Sequence, residues 1–199
     1  TPTIVPLAVD AAWVKSLAGV SLSFMKIIFY LDDQKQFSKT GKILFTHFGL
    51  SGPLILNSAS KVAELLEAGP VRAIIDAYPD TDLGALEDRI IAVFDTSKNK
   101  AFKNVMKEIV PLGMSDAIMG LLPNIDFGTK VHSVSKEERK QLVRLLKALP
   151  VKITHLMGYN RAVIADGGVA LDEIDTRTMR SKLLDNLFIT GDLLHINRP

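Results

Sequence analysis

The chain has 199 residues, 47% hydrophobic and 23% charged, an ordinary globular mixture long enough for one large domain or two small ones. A formal net charge of +2 argues against a dominant electrostatic partner, and the absence of cysteine excludes disulfides, thiol chemistry and cysteine-ligated zinc. No apolar run approaches the roughly 20 residues that span a bilayer, and nothing at the start reads as a signal peptide, so a soluble, cytoplasmic protein is expected.

The first third reads as strands. "TIVPL" is extended, with Pro2 and Pro6 holding it out of helix. "AAWVKSLAG" has room for one helical turn, and Val20 to Asp32 is rich in β-branched and aromatic residues, the composition of a strand. "DDQKQFSKTGK" supplies turn chemistry, and "KILFTHF" is the next strand. In "LFTHFGLSGPLILNSAS" a strand is expected to enter a tight turn and leave as a helix. Ser51 would cap that helix, Pro53 would stand in its first turn, and Gly69-Pro70 would stop it. "VRAIIDAY" is a buried strand.

From Asp80 to Leu149 the periodicity becomes helical. Leu83, Leu86, Ile90 and Phe94 share one face; Phe102, Val105, Met106 and Ile109 share another, as do Leu142, Leu145, Leu146 and Leu149. A shorter helix is expected over Ser115 to Leu122. Ser135-Lys136-Glu137-Glu138 is a capping box opening the last helix, which closes against Pro150. Strands then return in "VKITHLMG", "RAVIADGGVAL" and "NLFIT". The fold class expected is α+β: a β-rich, barrel-like part interrupted by a small helical bundle. The organisation expected is a β-rich part with one helix over 1–79, a helical lobe over 80–149, returning strands over 150–165, and a further segment over 166–199.

Several stretches could carry chemistry. Ser51 stands on a turn resembling a nucleophile elbow, but the pattern G-x-S-x-G requires glycine where Pro53 stands, so a helix cap is the plainer reading. His47 reads as a side chain held by the turn's backbone, since a base would need a partner brought from elsewhere. His47, His132, His155 and His195 fit no metal-ligand spacing, and no metal site is expected. Residues 98–147 hold ten Lys or Arg against five Asp or Glu, a net of +5, around Lys98, Lys100, Lys103 and Lys107. A solvated face is the plainer reading; nucleic acid is disfavoured because the aromatic interleaving of single-strand binders is missing. Gly167-Gly168 marks a bend or a close approach. Gly191-Asp192, after an apolar strand-like run, would place a carboxylate where open α/β sheets bind ligands.

Together, "VPLAVDAAWVKSLAGVSL", "GKILFTHFGLSGPLIL" and "ADGGVALDEIDTRTMRSKLLDNLFITGDLLHINRP" resemble, in the same order, the BaiN/YhiN-like flavoproteins, NAD(P)/FAD-dependent oxidoreductases that carry an insert domain. The resemblance covers nearly the whole chain and is loosest through the helical lobe. It implies that 166–199 begins the C-terminal part of an FAD-binding α/β domain, whose strands these residues would help complete. It also implies that the missing FAD-binding segments of the same polypeptide are its partners.

The resemblance places Gly191, Asp192, Gly167 and Gly168 beside the cofactor, Asp192 standing where the family usually has Glu. No three glycines here have dinucleotide spacing, so FAD would be held mostly by residues outside this chain, which alone would be inactive. The chain begins Thr1-Pro2 without a Met and stops at "GDLLHINRP", as a piece of something longer would. The function implied is a lid or substrate wall over hydride transfer to a small unsaturated or ketonic molecule, with NAD(P)H as reductant. A serine hydrolase using Ser51, and a nucleic-acid or protein interaction module built on the basic lobe, are the alternatives. No catalytic residue is assigned.

Overall fold

The computed structural model describes residues 4–162 and 167–195. Its architecture is α+β, built on a closed six-stranded barrel in the order β1-β4-β3-β2-β5-β6 with every neighbouring pair antiparallel. The strands are β1 (Leu7–Val9), β2 (Ser21–Leu31), β3 (Gln34–Phe45), β4 (Gly49–Ser51), β5 (Val71–Asp76) and β6 (Leu149–Leu156). Alternate residues of β5 and β6 are buried, so Val71, Ala73, Ile75, Leu149, Val151 and Ile153 fill the interior with Ile27, Phe29, Ile43 and Phe45.

β2 and β3 form one long hairpin reversed at Asp32 and Asp33 alone. Both have left-handed φ, 45° and 65°, the geometry that suits the twist of a two-residue hairpin loop. The turn expected over Asp32 to Lys42 is therefore mostly strand. Its polar residues belong to the exposed first half of β3, and burial is reached only at Ile43 and Phe45. α1 (Ala12–Ser16) closes over the barrel: the indole N–H of Trp13 donates to the Pro150 carbonyl at 2.8 Å, and its ring leans on Phe45.

The expected single helix after the glycine-rich junction is two, α2 (Pro53–Leu56) and α3 (Ala59–Ala68). The buried Ser58 hydroxyl donates back to the Leu54 carbonyl between them, a local bond that competes with helix continuation.

The helical lobe is inserted between the adjacent strands β5 and β6. It comprises α4 (Leu83–Thr96), α5 (Phe102–Ile109), α6 (Ser115–Gly120) and α7 (Lys136–Lys147). Asp82 caps α4, and Ser135 with Glu138 forms the capping box on α7. Leu86, Ile90 and Phe94 are buried as their spacing requires, whereas Leu83, in the first turn, is exposed. Phe102 packs between Phe94 and Phe127, at centroid distances of 5.3 and 4.8 Å. The apolar faces of the lobe and the barrel merge into one continuous core.

Lys147, the last residue of α7, sits at the root of that insertion. Its ammonium lies 2.7 Å from Asp76 Oδ2, the Tyr78 carbonyl and the Thr81 carbonyl, which gives each of its three N–H bonds an acceptor. Both charged side chains are mostly buried, at 17% and 11% exposure. Removing one partner would strand the other charge, so Lys147→Ala is expected to lower unfolding free energy by about 3 kcal/mol, read by urea denaturation.

Beside it, burial pushes the Tyr78 hydroxyl above the ordinary tyrosine range, and the Arg89 guanidinium over its ring partly offsets this. That hydroxyl donates to the Ile109 carbonyl, joining the β5 exit to α5. A raised folded value favours the protonated form, so its stabilisation is complete below about pH 10 and is lost above that. Wild-type denaturation midpoints are expected to fall above about pH 10 more steeply than those of Tyr78→Phe.

Candidate functional site

Residues 167–195 form a small unit with its own cluster of Ile174, Ile189 and Leu194, against which Val169 and Met179 pack. Its regular ladder is only β7 (Ile174–Asp175) against β8 (Arg180–Ser181). The strand expected at "NLFIT" is reduced to one bridge between Phe188 and Arg180, flanked by hydrogen bonds from the Ser181 N–H to the Leu187 carbonyl and from the Ile189 N–H to the Met179 carbonyl. The strand expected at "RAVIADGGVAL" is interrupted: Tyr159–Arg161 is a 3₁₀ turn, and 163–166 lie outside the described residues. The backbone N–H of Arg177 holds the Asp175 carboxyl below the usual carboxylate range, with help from the Thr178 hydroxyl.

Within this unit the two glycine-bearing segments meet. Val169 pairs in parallel with Leu194; its N–H donates to the Leu193 carbonyl at 2.8 Å, and the His195 N–H donates to the Val169 carbonyl at 2.9 Å. At Gly168 φ is +130°, and a Cβ there would stand 2.4 Å from the Leu193 carbonyl oxygen. Only glycine permits that approach. Gly191, with φ +68°, opens the 3₁₀ turn Gly191–Leu193, and the place its Cβ would occupy is open. The fold thus brings Gly167 and Gly168 to the segment carrying Gly191 and Asp192.

The junction "THFGLSGP" serves barrel closure. Thr46 and Gly49 bracket a two-residue loop of His47 and Phe48, with the Thr46 N–H donating to the Gly49 carbonyl and the Gly49 N–H to the Thr46 carbonyl. The Thr46 hydroxyl adds a bond to each end of Gly49. His47 is exposed, its ring edge-on to Phe48, so Thr46 holds the turn rather than His47. Ser51 is not a helix cap: it lies in β4 opposite Leu44, and α2 starts from Gly52 with no side-chain cap. Gly49 would drive a Cβ to 2.1 Å from the Leu7 carbonyl, and Gly52 would drive one to 2.9 Å from Leu44 N. β4 is wedged between β1 and β3 at these points.

Two concavities flank the barrel. One, of about 840 Å³, lies between α1, α6 and the β5–β6 edge; its rim mixes Asp10 and Asp116 with Lys152 and Arg72. Arg72 is already committed to Asp33 at 2.8 Å and to the Tyr30 ring. The other, of about 530 Å³, is formed by the junction loop, Ala18, Gly19, Pro6 and Arg161. Arg161 escaped the sequence reading because nothing in its spacing ties it to the junction; the chain's return from β6 brings its guanidinium to 4.4 Å from the Phe48 ring. Among the described residues no group of three or more metal-ligating side chains converges, and no helix is long and apolar enough to cross a membrane.

A family profile for the HI0933-like protein barrel and H2TH domain matches residues 1–164, the span of the barrel and its helical insertion. The chain belongs to the HI0933-like family. The resemblance read from the motifs therefore holds, and the helical lobe of this HI0933-like domain corresponds to the second element of that description. Three curated proteins are similar. The ribosomal RNA dihydrouridine synthase of Escherichia coli (strain K12) is 24% identical over 156 residues, 77% of this chain and 36% of that protein. The 3-dehydro-bile acid delta(4,6)-reductase of Clostridium scindens is 22% identical over 196 residues, 98% of this chain and 47% of that protein. The ribosomal RNA dihydrouridine synthase of Haemophilus influenzae is 24% identical over 157 residues, 78% of this chain and 36% of that protein. This HI0933-like chain thus spans less than half the length of each of these relatives.

Gly168→Ala is expected to separate the two glycine-bearing segments. Amide exchange at Val169 and His195 should accelerate by at least about tenfold, while exchange in the barrel strands stays unchanged.

Proposed function

We propose that this chain is the substrate-covering part of a flavin-dependent oxidoreductase, with residues 167–195 docking onto a cofactor domain built by further polypeptide. One observation carries the reading. The small unit buries three core residues but exposes Leu183, Leu184, Leu187, Phe188 and Leu193, each at least 40% accessible. So many exposed large apolar side chains on so small a unit mark it as a contact surface, since its own core is too slight to stand alone. Membership in the HI0933-like family supports the same reading.

The residues present fit one side of a dinucleotide cofactor. Gly191 offers backbone with open space beside it, and the Gly168 contact fixes the neighbouring segment. Gly167 would allow the cofactor close approach, Gly168 would hold its segment against Leu193 beside it, and Asp192 would accept hydrogen bonds from its ribityl hydroxyls. When bound, FAD supplies hydride transfer, with NAD(P)H as the reductant. The chain's contribution is to cover, orient and exclude water. The names of the relatives point to one kind of bond: uridine and a 3-oxo-4,6-diene both present a C=C conjugated to a carbonyl. An α,β-unsaturated carbonyl compound is therefore the substrate class.

A second substrate reading, in which that compound is a base within RNA, is favoured by charge. Residues 98–147 carry a net of +5 while the remainder of the chain carries −3. Segment 127–132 runs beside 98–103 and brings Lys130 to the same ridge as Lys98, Lys100 and Lys103. Lys98 and Lys100 are partly neutralised by exposed ion pairs with Asp95 and Glu108. A serine hydrolase has no support from geometry: no carboxylate lines the pocket that holds Ser51 and His47 among the described residues.

The 199-residue chain alone is expected to purify without flavin absorbance, whereas a polypeptide that also contains its flanking coding sequence should retain FAD. Leu184→Glu with Phe188→Glu should lower flavin occupancy of the longer polypeptide at least about tenfold, leaving the barrel folded by circular dichroism. Stoichiometric flavin on the 199-residue chain alone, or full occupancy in the double variant, would overturn the reading.

A further inference from the structure

We infer that the 530 Å³ pocket at the β3–β4 loop is a binding site for a small amphipathic carboxylate, anchored by Arg161. The inference stands on this chain's own geometry; only the role of the bound molecule as substrate rests on the oxidoreductase reading.

The pocket has an apolar body and a cationic end. Leu44, Ala18 and Phe48 supply the first, above the buried Pro6 and Phe45, and Arg161 is the one permanently charged residue among its described lining. No aspartate or glutamate lines it among the described residues, so no described carboxylate neutralises the guanidinium there. The Arg161 guanidinium carbon lies 4.4 Å from the Phe48 ring centroid, a cation–π contact that uses none of its N–H bonds. Its side chain forms no ion pair and no hydrogen bond with the described residues. A planar fork whose donors are unclaimed by the described residues matches the two oxygens of a carboxylate. The hydroxyl of Ser51 and the imidazole of His47 border the same space and can supply further polar contacts.

Size selects the rest of the ligand. A volume of about 530 Å³ is far larger than a lone anion requires and lies within the range of small-molecule sites. The mostly apolar lining suits hydrocarbon in the rest of the molecule, with Thr46, His47 and Ser51 as the polar exceptions. One permanent cation fits a single charge better than the two of a phosphate monoester. The other concavity, with charges of both signs around its rim, makes no comparable selection.

The test uses 2-naphthoate, its uncharged analogue 2-naphthamide and inorganic phosphate as probes, followed by amide chemical shifts of Gly19, Phe48 and Ser51. Naphthoate should shift these resonances saturably and bind at least about tenfold more tightly than naphthamide. Arg161→Gln should abolish that difference while leaving the thermal midpoint unchanged, because the side chain is exposed. Arg161→Lys should retain only part of it, since an ammonium lacks the planar fork. Equal binding of acid and amide, an unaltered preference in Arg161→Gln, or competition by phosphate at the naphthoate concentration would each overturn the proposal. Flavin takes no part in these measurements. A flavin-free chain that still selects the carboxylate would leave this inference standing, whatever the outcome for the oxidoreductase reading.

Discussion

The ammonium of Lys147 is the constraint on which the arrangement of the whole barrel domain turns. β5 and β6 are hydrogen-bonded neighbours, yet the entire helical lobe is inserted between them in sequence. Such an excursion must leave and re-enter the barrel at one place. Asp76 marks the exit and Lys147 the return, and their ion pair, with the Tyr78 and Thr81 carbonyls, joins the two ends. A lysine buried this far is tolerable only when its charge and each N–H find a partner. The half-buried Arg139–Glu87 pair repeats the device one step outward, between α7 and α4. The lobe is therefore a built-in part of the barrel's core rather than an appended bundle, consistent with the single apolar cluster that runs through both.

What could be read from the sequence was what local chemistry determines. The capping box of α7 needs only four consecutive residues, and the face of Phe102, Val105, Met106 and Ile109 needs only the helical period. Where long-range pairing overrode local propensity, sequence reasoning missed. β3 keeps strand geometry through a polar, turn-like stretch because β2 lies alongside it, and Ser51 forgoes its cap because β3 recruits it into the sheet. The candidate site follows the same division. Gly167, Gly168 and Gly191 could be picked out as glycines, but not that Gly168 meets the Leu193 carbonyl. Arg161 and Phe48 could not be paired at all, since only barrel closure makes them neighbours.

Glycine in this chain is spent on backbone contacts between segments. Gly49 admits the Leu7 carbonyl, Gly52 admits the Leu44 amide, and Gly168 admits the Leu193 carbonyl. At each position a Cβ would come within 3 Å of another segment's backbone atom. The first two explain why the junction is written with glycines although no ligand is needed to account for them: a strand of three residues must pair on both sides at once. The junction is thus architecture first. What it presents to solvent, the His47–Phe48 loop, is a by-product of closure that leaves two aromatic rings at the edge of a pocket.

That ordering of constraints bears on how one fold can serve relatives named for substrates as different as ribosomal RNA and a bile acid. The barrel interior is saturated by packing, and the root of the lobe is tied by buried charge, so neither can change cheaply. The positions that can change at little cost are those the frame displays: the exposed lysines of the lobe and the loop and arginine at the pocket. An exposed lysine on α5 can be exchanged for glutamate at little cost in stability, whereas the same exchange at Lys147 would set three buried acceptors against a second carboxylate. The surface of such a domain is therefore free to change while the frame stays fixed.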